Sequence, residues 1–176
     1  FIGIDGGFAP WVGAMIGNVD QAILIVTPEG REEETVTRLA RVGFDNTLGY
    51  LKGGMNSWKK AAKTIDTVEG IEVANFKSLA EKEQLNIFDV RKPGEYLSEH
   101  LIDANNTPLD FLNNHMSEFP TEGHFYLHCA GGYRSMIAAS ILKSRGIHNL
   151  IDVRGGFAEI KKVQMKVSDY VCPSTL

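Results

Sequence analysis

Cysteine is scarce in this chain, positive charge is in deficit, and no long hydrophobic run occurs. Two cysteines among 176 residues, Cys129 and Cys172, are too few for a disulfide framework. Lysine and arginine number 18 against 22 aspartates and glutamates, a formal net charge of −4. That balance argues against a nucleic-acid or anionic-membrane partner, because either needs a basic face, and any anion site must be built locally. No apolar segment approaches the roughly twenty residues of a membrane span, and no basic-then-apolar signal pattern opens the chain. A reducing, cytoplasmic setting is expected. The chain begins at Phe1 rather than a methionine and is expected to be part of a longer protein. With 43% hydrophobic and 23% charged residues it can bury a core, as one domain or two small ones.

An internal repeat is present. Residues Ala22 to Trp58 and Phe125 to Ile160 share one order of parts: an apolar strand, a short loop, an arginine, a helix ending at glycine, a second strand, and Gly-Gly opening another helix. Sliding one copy by about a hundred residues sets Arg31 on Arg134 and Gly43 on Gly146, and Gly53 and Gly54 meet Gly155 and Gly156 with one residue of slippage.

Alternating strands and helices are predicted, hence an α/β fold. Ile23–Val26, Ile87–Val90, Phe125–Cys129 and Leu150–Val153 are apolar runs without polar alternation, as in strands of a parallel sheet covered on both faces. Helices are predicted at Glu32–Val42, about Ala74–Lys82 and Ser135–Arg145, the first and last stopping at Gly43 and Gly146. The polar stretch Lys59–Gly70 marks a boundary: residues 1–62 form a first unit, 63–70 a linker and 71–176 a second unit. "FIGID" (Phe1–Asp5) matches "NTPLD" of the second unit, so the first is expected to be truncated at its N-terminus, with an open sheet edge.

The stretch "LHCAGGYRS" (Leu127–Ser135) carries the chemistry. A strand ending in a thiol, a sharp turn through Ala130, Gly131, Gly132 and Tyr133, and a helix entered at Ser135 aim backbone N–H groups at the sulfur, and the helix N-terminus favours negative charge there. Glycines permit the required dihedrals. Thiolate, not thiol, is the nucleophile, and Arg134 adds a fork-shaped cation for a bound anion. Most free cysteines at strand ends are small core residues, but the Gly-Gly-x-Arg-Ser context favours a nucleophile.

At these residues the chain resembles the rhodanese family of single-cysteine sulfurtransferases. "DVRKPGEY" (Asp89–Tyr96), "EHLIDANNTPLD" (Glu99–Asp110), "HCAGGYRS" (His128–Ser135) and "DVRGGF" (Asp152–Phe157) are similar to family signatures in the family's order. More narrowly, "GGFAPWVGAMI" (Gly6–Ile16) and "YVCPSTL" (Tyr170–Leu176) resemble the tandem rhodanese region that follows a metallo-β-lactamase-fold, persulfide-oxidising module in some bacterial fusion proteins. The resemblance implies two tandem rhodanese-like units, each a central parallel sheet flanked by helices. It also implies transfer of a sulfane sulfur from thiosulfate or a low-molecular-weight persulfide to a thiol or cyanide, through a Cys129 persulfide, without a cofactor. By resemblance Cys129 and Arg134 are catalytic, Ala130, Gly131, Gly132, Tyr133 and Ser135 bind the persulfide, and Asp89, Arg91 and Arg154 support the loop. A surface ion pair is the plain alternative for Asp89 and Arg91.

In the first unit, Val26 or Thr27 stands opposite Cys129 and Glu29 would repel an anionic donor, so that unit is expected to be inert. Strand alternation turns His128 away from Cys129. His100 and His115 have no cysteine or histidine partner at metal-ligand spacing, and no metal site is expected. Cys172 is expected to be incidental. Two rival functions remain: a cysteine-dependent phosphatase or arsenate reductase on the same scaffold, and a non-catalytic docking module. Four residues separate Cys129 from Arg134, one fewer than in the cysteine phosphatases that resemble it, and a smaller loop favours a single sulfur over a tetrahedral oxyanion.

Overall fold

The structure is a computed structural model and describes residues 1–172 and Ser174. Of the terminal "YVCPSTL", Pro173, Thr175 and Leu176 lie outside the described residues. The chain divides into two compact units, residues 2–67 and 68–176.

In the first unit, helix α1 (Phe8–Met15) precedes strand β1 (Ile23–Ile25), helix α2 (Glu32–Ala40), strand β2 (Thr47–Tyr50) and helix α3 (Gly54–Lys60). The two strands pair in parallel. Ile25 of β1 is buried with Phe8, Val12, Leu39 and Phe44. The opposite sheet face, with Leu24, Val26, Leu48 and Tyr50, is exposed.

The second unit runs β3 (Glu69–Ile71), α4 (Val73–Ala80), β4 (Ile87–Asp89), α5 (Pro93–Ser98), β5 (Ala104–Asn106), a 3-10 segment (Leu109–Glu118), β6 (Phe125–His128), α6 (Tyr133–Ser144), β7 (Leu150–Val153) and α7 (Gly156–Ile160). Its strands form one parallel sheet in the order β3-β7-β6-β4-β5. Because side chains alternate along a strand, β6 sends Tyr126 to one layer and Phe125 and Leu127 to the other. Tyr126 packs with Phe76 of α4 and with Phe157 and Ile160 of α7. Phe125 meets Phe88 and Phe119, with ring centroids 5.3 and 5.5 Å away, and Ile137, Ala138 and Leu142 of α6 are buried. This is the α/β, helix-flanked parallel sheet that the apolar runs predict.

Three details differ from expectation. Residues 69 and 70, read as the end of the linker, belong with Ile71 to strand β3. At the sheet edge it pairs only with β7, so the sequence Glu-Gly-Ile does not need the apolar run of a central strand. The division between units accordingly falls at Thr67 and Val68. Helix α6 begins at Tyr133, two residues early, which puts Arg134 and Ser135 inside its first turn.

Both units reproduce the glycine pattern of the repeat. Helix α2 ends with Phe44 N–H donating to Leu39 C=O past Gly43 at φ +86°, and α6 ends with Ile147 N–H donating to Leu142 C=O past Gly146 at φ +87°. These are the same left-handed helix cap. The sheets around them differ. Leu24, second in β1, is 75% exposed, whereas Tyr126, second in β6, is 6% exposed. A two-stranded sheet bare on one face opens more readily than the centre of a covered five-stranded sheet. Amide hydrogen exchange is therefore expected to be faster in Ile23–Ile25 than in Phe125–His128; equal protection would contradict this account of the first unit.

Candidate active site

Strand β6 ends at His128 and α6 begins at Tyr133, leaving four residues, Cys129 to Gly132, for the turn. Gly132 caps the helix at φ +100°, a conformation that glycine adopts without strain. There its N–H donates to Cys129 Sγ at 3.1 Å. Ser135, in the first turn of the helix and buried, donates its hydroxyl to the Gly132 carbonyl at 3.1 Å. Cys129 itself is 1% exposed. Its sulfur thus lies at the positive end of α6 with a backbone donor aimed at it. Of the rest of the loop, Ala130 and Tyr133 are half-buried and Gly131 is exposed.

The Gly-Gly that follows β7 holds this turn from below. Phe157 N–H donates to Cys129 C=O at 2.7 Å and Ala158 N–H to Ala130 C=O at 3.0 Å. A Cβ on Gly156 would lie 2.3 Å from the Cys129 oxygen, so only glycine lets α7 approach this closely. The first unit has the same contact. A Cβ on Gly54 would lie 2.6 Å from Thr27 O. The residue in the place of Cys129 is therefore Thr27, and Val26 faces outward. Arg31 of that unit is engaged by Asp5 and Glu34.

Arg134 is not the unengaged anion fork that the sequence suggested. Its guanidinium makes two parallel bonds to Glu95, Nη1 to Oε2 at 2.5 Å and Nη2 to Oε1 at 2.8 Å. Glu95 stands in the first turn of α5, and its carboxylate also accepts the Lys92 N–H at 3.2 Å. The Arg134 guanidinium holds the Glu95 carboxyl below the usual glutamate range. Sequence reasoning missed Glu95 as a site residue, although the Lys-Pro-x-Glu spacing marked it as the third residue of a helix.

Asp89 and Arg91 are buried, which excludes the surface-pair alternative. Arg91 Nε and Nη2 approach Asp89 Oδ2 at 2.8 and 2.6 Å, Nη2 also donates to Glu99 C=O, and the guanidinium lies 3.9 Å over the Phe157 ring. Phe157 follows Gly156, so this buried pair braces the segment on which the loop rests. His128, opposite Asp89 in the sheet register, places Nδ1 4.0 Å from Asp89 Oδ1. Burial pushes its imidazole below the ordinary range and keeps it neutral. Arg154 departs from expectation: it forms an exposed pair with Glu72 at 2.8 Å and is not brought to the loop. Cys172 is exposed beside Ser174, whose hydrogen bonds draw its thiol below the ordinary value.

The profile described as Rhodanese-like domain matches residues 72–163. The chain belongs to the rhodanese-like family. Among curated relatives, the Bacillus subtilis protein YqhL is 33% identical over 46% of this chain and 69% of its own length. The putative sulfur carrier protein YrkF of the same organism is 30% identical over 61% of this chain, which spans 57% of that protein. A sulfurtransferase of Allochromatium vinosum is 31% identical over 44% of this chain and 73% of its own. Among solved structures, a rhodanese-like domain protein of Staphylococcus aureus covers 58% of this chain and 100% of its own at TM-score 0.52 and 25% identity. A thiosulfate sulfurtransferase of Pseudomonas aeruginosa shares the fold over 91% of this chain and 35% of its own, at TM-score 0.51 and 18% identity. Among the described residues of this rhodanese-like chain, no helix is long and apolar enough to cross a membrane.

The Glu95–Arg134 pair makes a pH-dependent prediction. A carboxyl held below its ordinary value contributes stability that is present above that value, 4.5, and is lost as pH falls through the lower folded-state value. Glu95→Gln is expected to lower unfolding free energy by about 1 kcal/mol at neutral pH. The gap from wild type should close in acid. A gap of the same size at pH 7 and well below 4.5 would contradict the charge-assisted pair.

Proposed function

We propose that the second unit is a sulfurtransferase working through a Cys129 persulfide. The Cys129 thiolate attacks the outer sulfur of thiosulfate or of a low-molecular-weight persulfide, forming an S–S bond and expelling sulfite or a thiolate. The resulting Cys129–S–S⁻ gives its terminal sulfur to a thiol or to cyanide, which regenerates the thiolate. The observation that carries this reading is the Gly132 N–H aimed at Cys129 Sγ in the first turn before α6, a cradle suited to a sulfur-centred anion. The relatives named sulfurtransferase and putative sulfur carrier protein support it. Arg134, fixed by Glu95, lends positive potential to the donor anion, and Tyr133 shapes the mouth.

Loop length favours this reading over a phosphatase or arsenate reductase. Four residues between Cys129 and Arg134 draw the amides toward one sulfur, whereas a tetrahedral oxyanion needs a wider ring of donors. The first unit, in this reading, is a catalytically silent copy: Thr27 stands in the place of the nucleophile, and one face of its sheet is exposed. The fold shared over 91% of the chain with a thiosulfate sulfurtransferase favours the tandem arrangement. A cytoplasmic location, inferred from the scarcity of cysteine, and a metallo-β-lactamase-fold module in the same polypeptide supplying a thiol persulfide, inferred from sequence resemblance alone, complete the proposal.

Cys129→Ser is expected to abolish thiocyanate formation from thiosulfate and cyanide without unfolding the protein, since hydroxyl and thiol are close in size. Cys172→Ser should retain activity to within about tenfold, or 1.4 kcal/mol of barrier. Turnover by the Cys129 variant, or faster hydrolysis of an aryl phosphate than sulfur transfer by the wild type, would overturn the assignment.

A further inference from the structure

Asp152 is a carboxyl in a place that an apolar residue would fill. It lies third in β7, paired in register with Leu127 of β6 on one side and Gly70 of β3 on the other. Alternation along the sheet points it to the α6 layer, the layer that Leu127 and Cys129 share. It is 6% exposed, and its Oδ1 has no hydrogen-bond partner. The polar group that meets it is the Ser135 hydroxyl, from the first turn of α6. Ser135 is completely buried and its Oγ lies 3.1 Å from Gly132 O. Gly132, in turn, donates its N–H to Cys129 Sγ. A line of contacts therefore runs from Asp152 through Ser135 and Gly132 to the nucleophilic sulfur.

We propose that Asp152 is a positioning residue for the sulfur-transfer loop: its carboxyl directs the Ser135 hydroxyl, which anchors Gly132 and so keeps the Gly132 N–H on the Cys129 sulfur. The inference rests on the sulfurtransferase reading for its catalytic consequence, though not for its effect on Cys129. A serine hydroxyl has one proton to give. When the Asp152 carboxyl is protonated it donates to Ser135 Oγ, and the serine proton is free for Gly132 C=O. When it is ionised it competes with that carbonyl for the same proton, and the anchor on Gly132 loosens. Burial pushes the Asp152 carboxyl up and favours the protonated form. Ser135 from α6, Leu127 from β6 and Gly70 from β3 bring no charge to it. The Ser135 hydroxyl, where it hydrogen-bonds the carboxylate, and then Arg154, two residues on in its own segment and paired with exposed Glu72, oppose the rise. A buried carboxyl with a bare oxygen is a standing cost to stability, which the loop's geometry accounts for and the core's packing does not.

The test uses the full chain in a Cys172→Ser background, so that alkylation by iodoacetamide reports Cys129 alone. Asp152→Ala and Ser135→Ala are each expected to slow alkylation and thiosulfate-to-cyanide turnover by about fivefold to tenfold. The double variant should be no slower than the slower single, because both act through one contact. Asp152→Asn, whose amide donates to Ser135 as the protonated carboxyl does, should restore most of the rate. The ratio of wild-type to Asn alkylation rates should change with pH through a single inflection above the ordinary aspartate value of 3.8. Because a carboxyl raised by burial loses stability as pH climbs from its unfolded to its folded value, the Asn variant should melt no lower than wild type at neutral pH. Additive single effects, or a ratio flat across pH, would overturn the proposal. Alkylation that follows this pattern in a protein with no sulfur transfer would leave the positioning role standing and remove the sulfurtransferase reading instead.

Discussion

The active loop depends on Gly132 holding φ near +100°, because in that conformation its N–H reaches Cys129 Sγ while its carbonyl receives Ser135. A residue with a Cβ is strained there. The surrounding parts keep that glycine in place from three directions. Helix α6 extends from it, Gly155 and Gly156 let α7 press its N–H groups onto the Cys129 and Ala130 carbonyls, and the buried Asp89–Arg91 pair stacks beneath Phe157 to brace α7. The turn is thus fixed by backbone contacts on both flanks.

Comparing the two units separates what the fold demands from what the chemistry demands. Left-handed glycines after the helix and before the next one recur in both, as does the close approach of a glycine to the carbonyl that ends the first strand. These are requirements of a strand–helix–strand turn. The thiol, the helix-capping glycine directed at it and the bidentate Glu95–Arg134 pair occur in the second unit, whereas the first has Thr27 and an arginine engaged with Asp5 and Glu34. On the reading proposed above, catalysis was added to, or lost from, a common backbone frame by a handful of side chains.

Much of this arrangement was legible in the sequence because it is local. Apolar runs marked β4, β6 and β7, glycines marked the ends of α2 and α6, and the Cys-to-Arg spacing marked the loop. What was not legible depends on tertiary neighbours. Glu95 and Arg134 are 39 residues apart, and no spacing rule joins them. β3 escaped notice because an edge strand of Glu-Gly-Ile is half polar. Asp89 and Arg91, two residues apart, read equally well as a surface pair until the sheet buries them, and Arg154 read as a support for the loop until its side chain turned out to Glu72. Asp152 shows nothing unusual in a one-dimensional pattern; its burial against Ser135 arises only when α6 covers β7.

The central claim is that Cys129 carries a sulfur atom as a covalent intermediate. Mass spectrometry of the intact protein and of the peptide containing Cys129, after incubation with thiosulfate and removal of excess donor, tests it directly. The account predicts a gain of about 32 Da, one sulfur atom, localised to Cys129 and discharged on adding cyanide. An unmodified Cys129 under conditions of measurable sulfur transfer, or the added sulfur found on Cys172 instead, would contradict it.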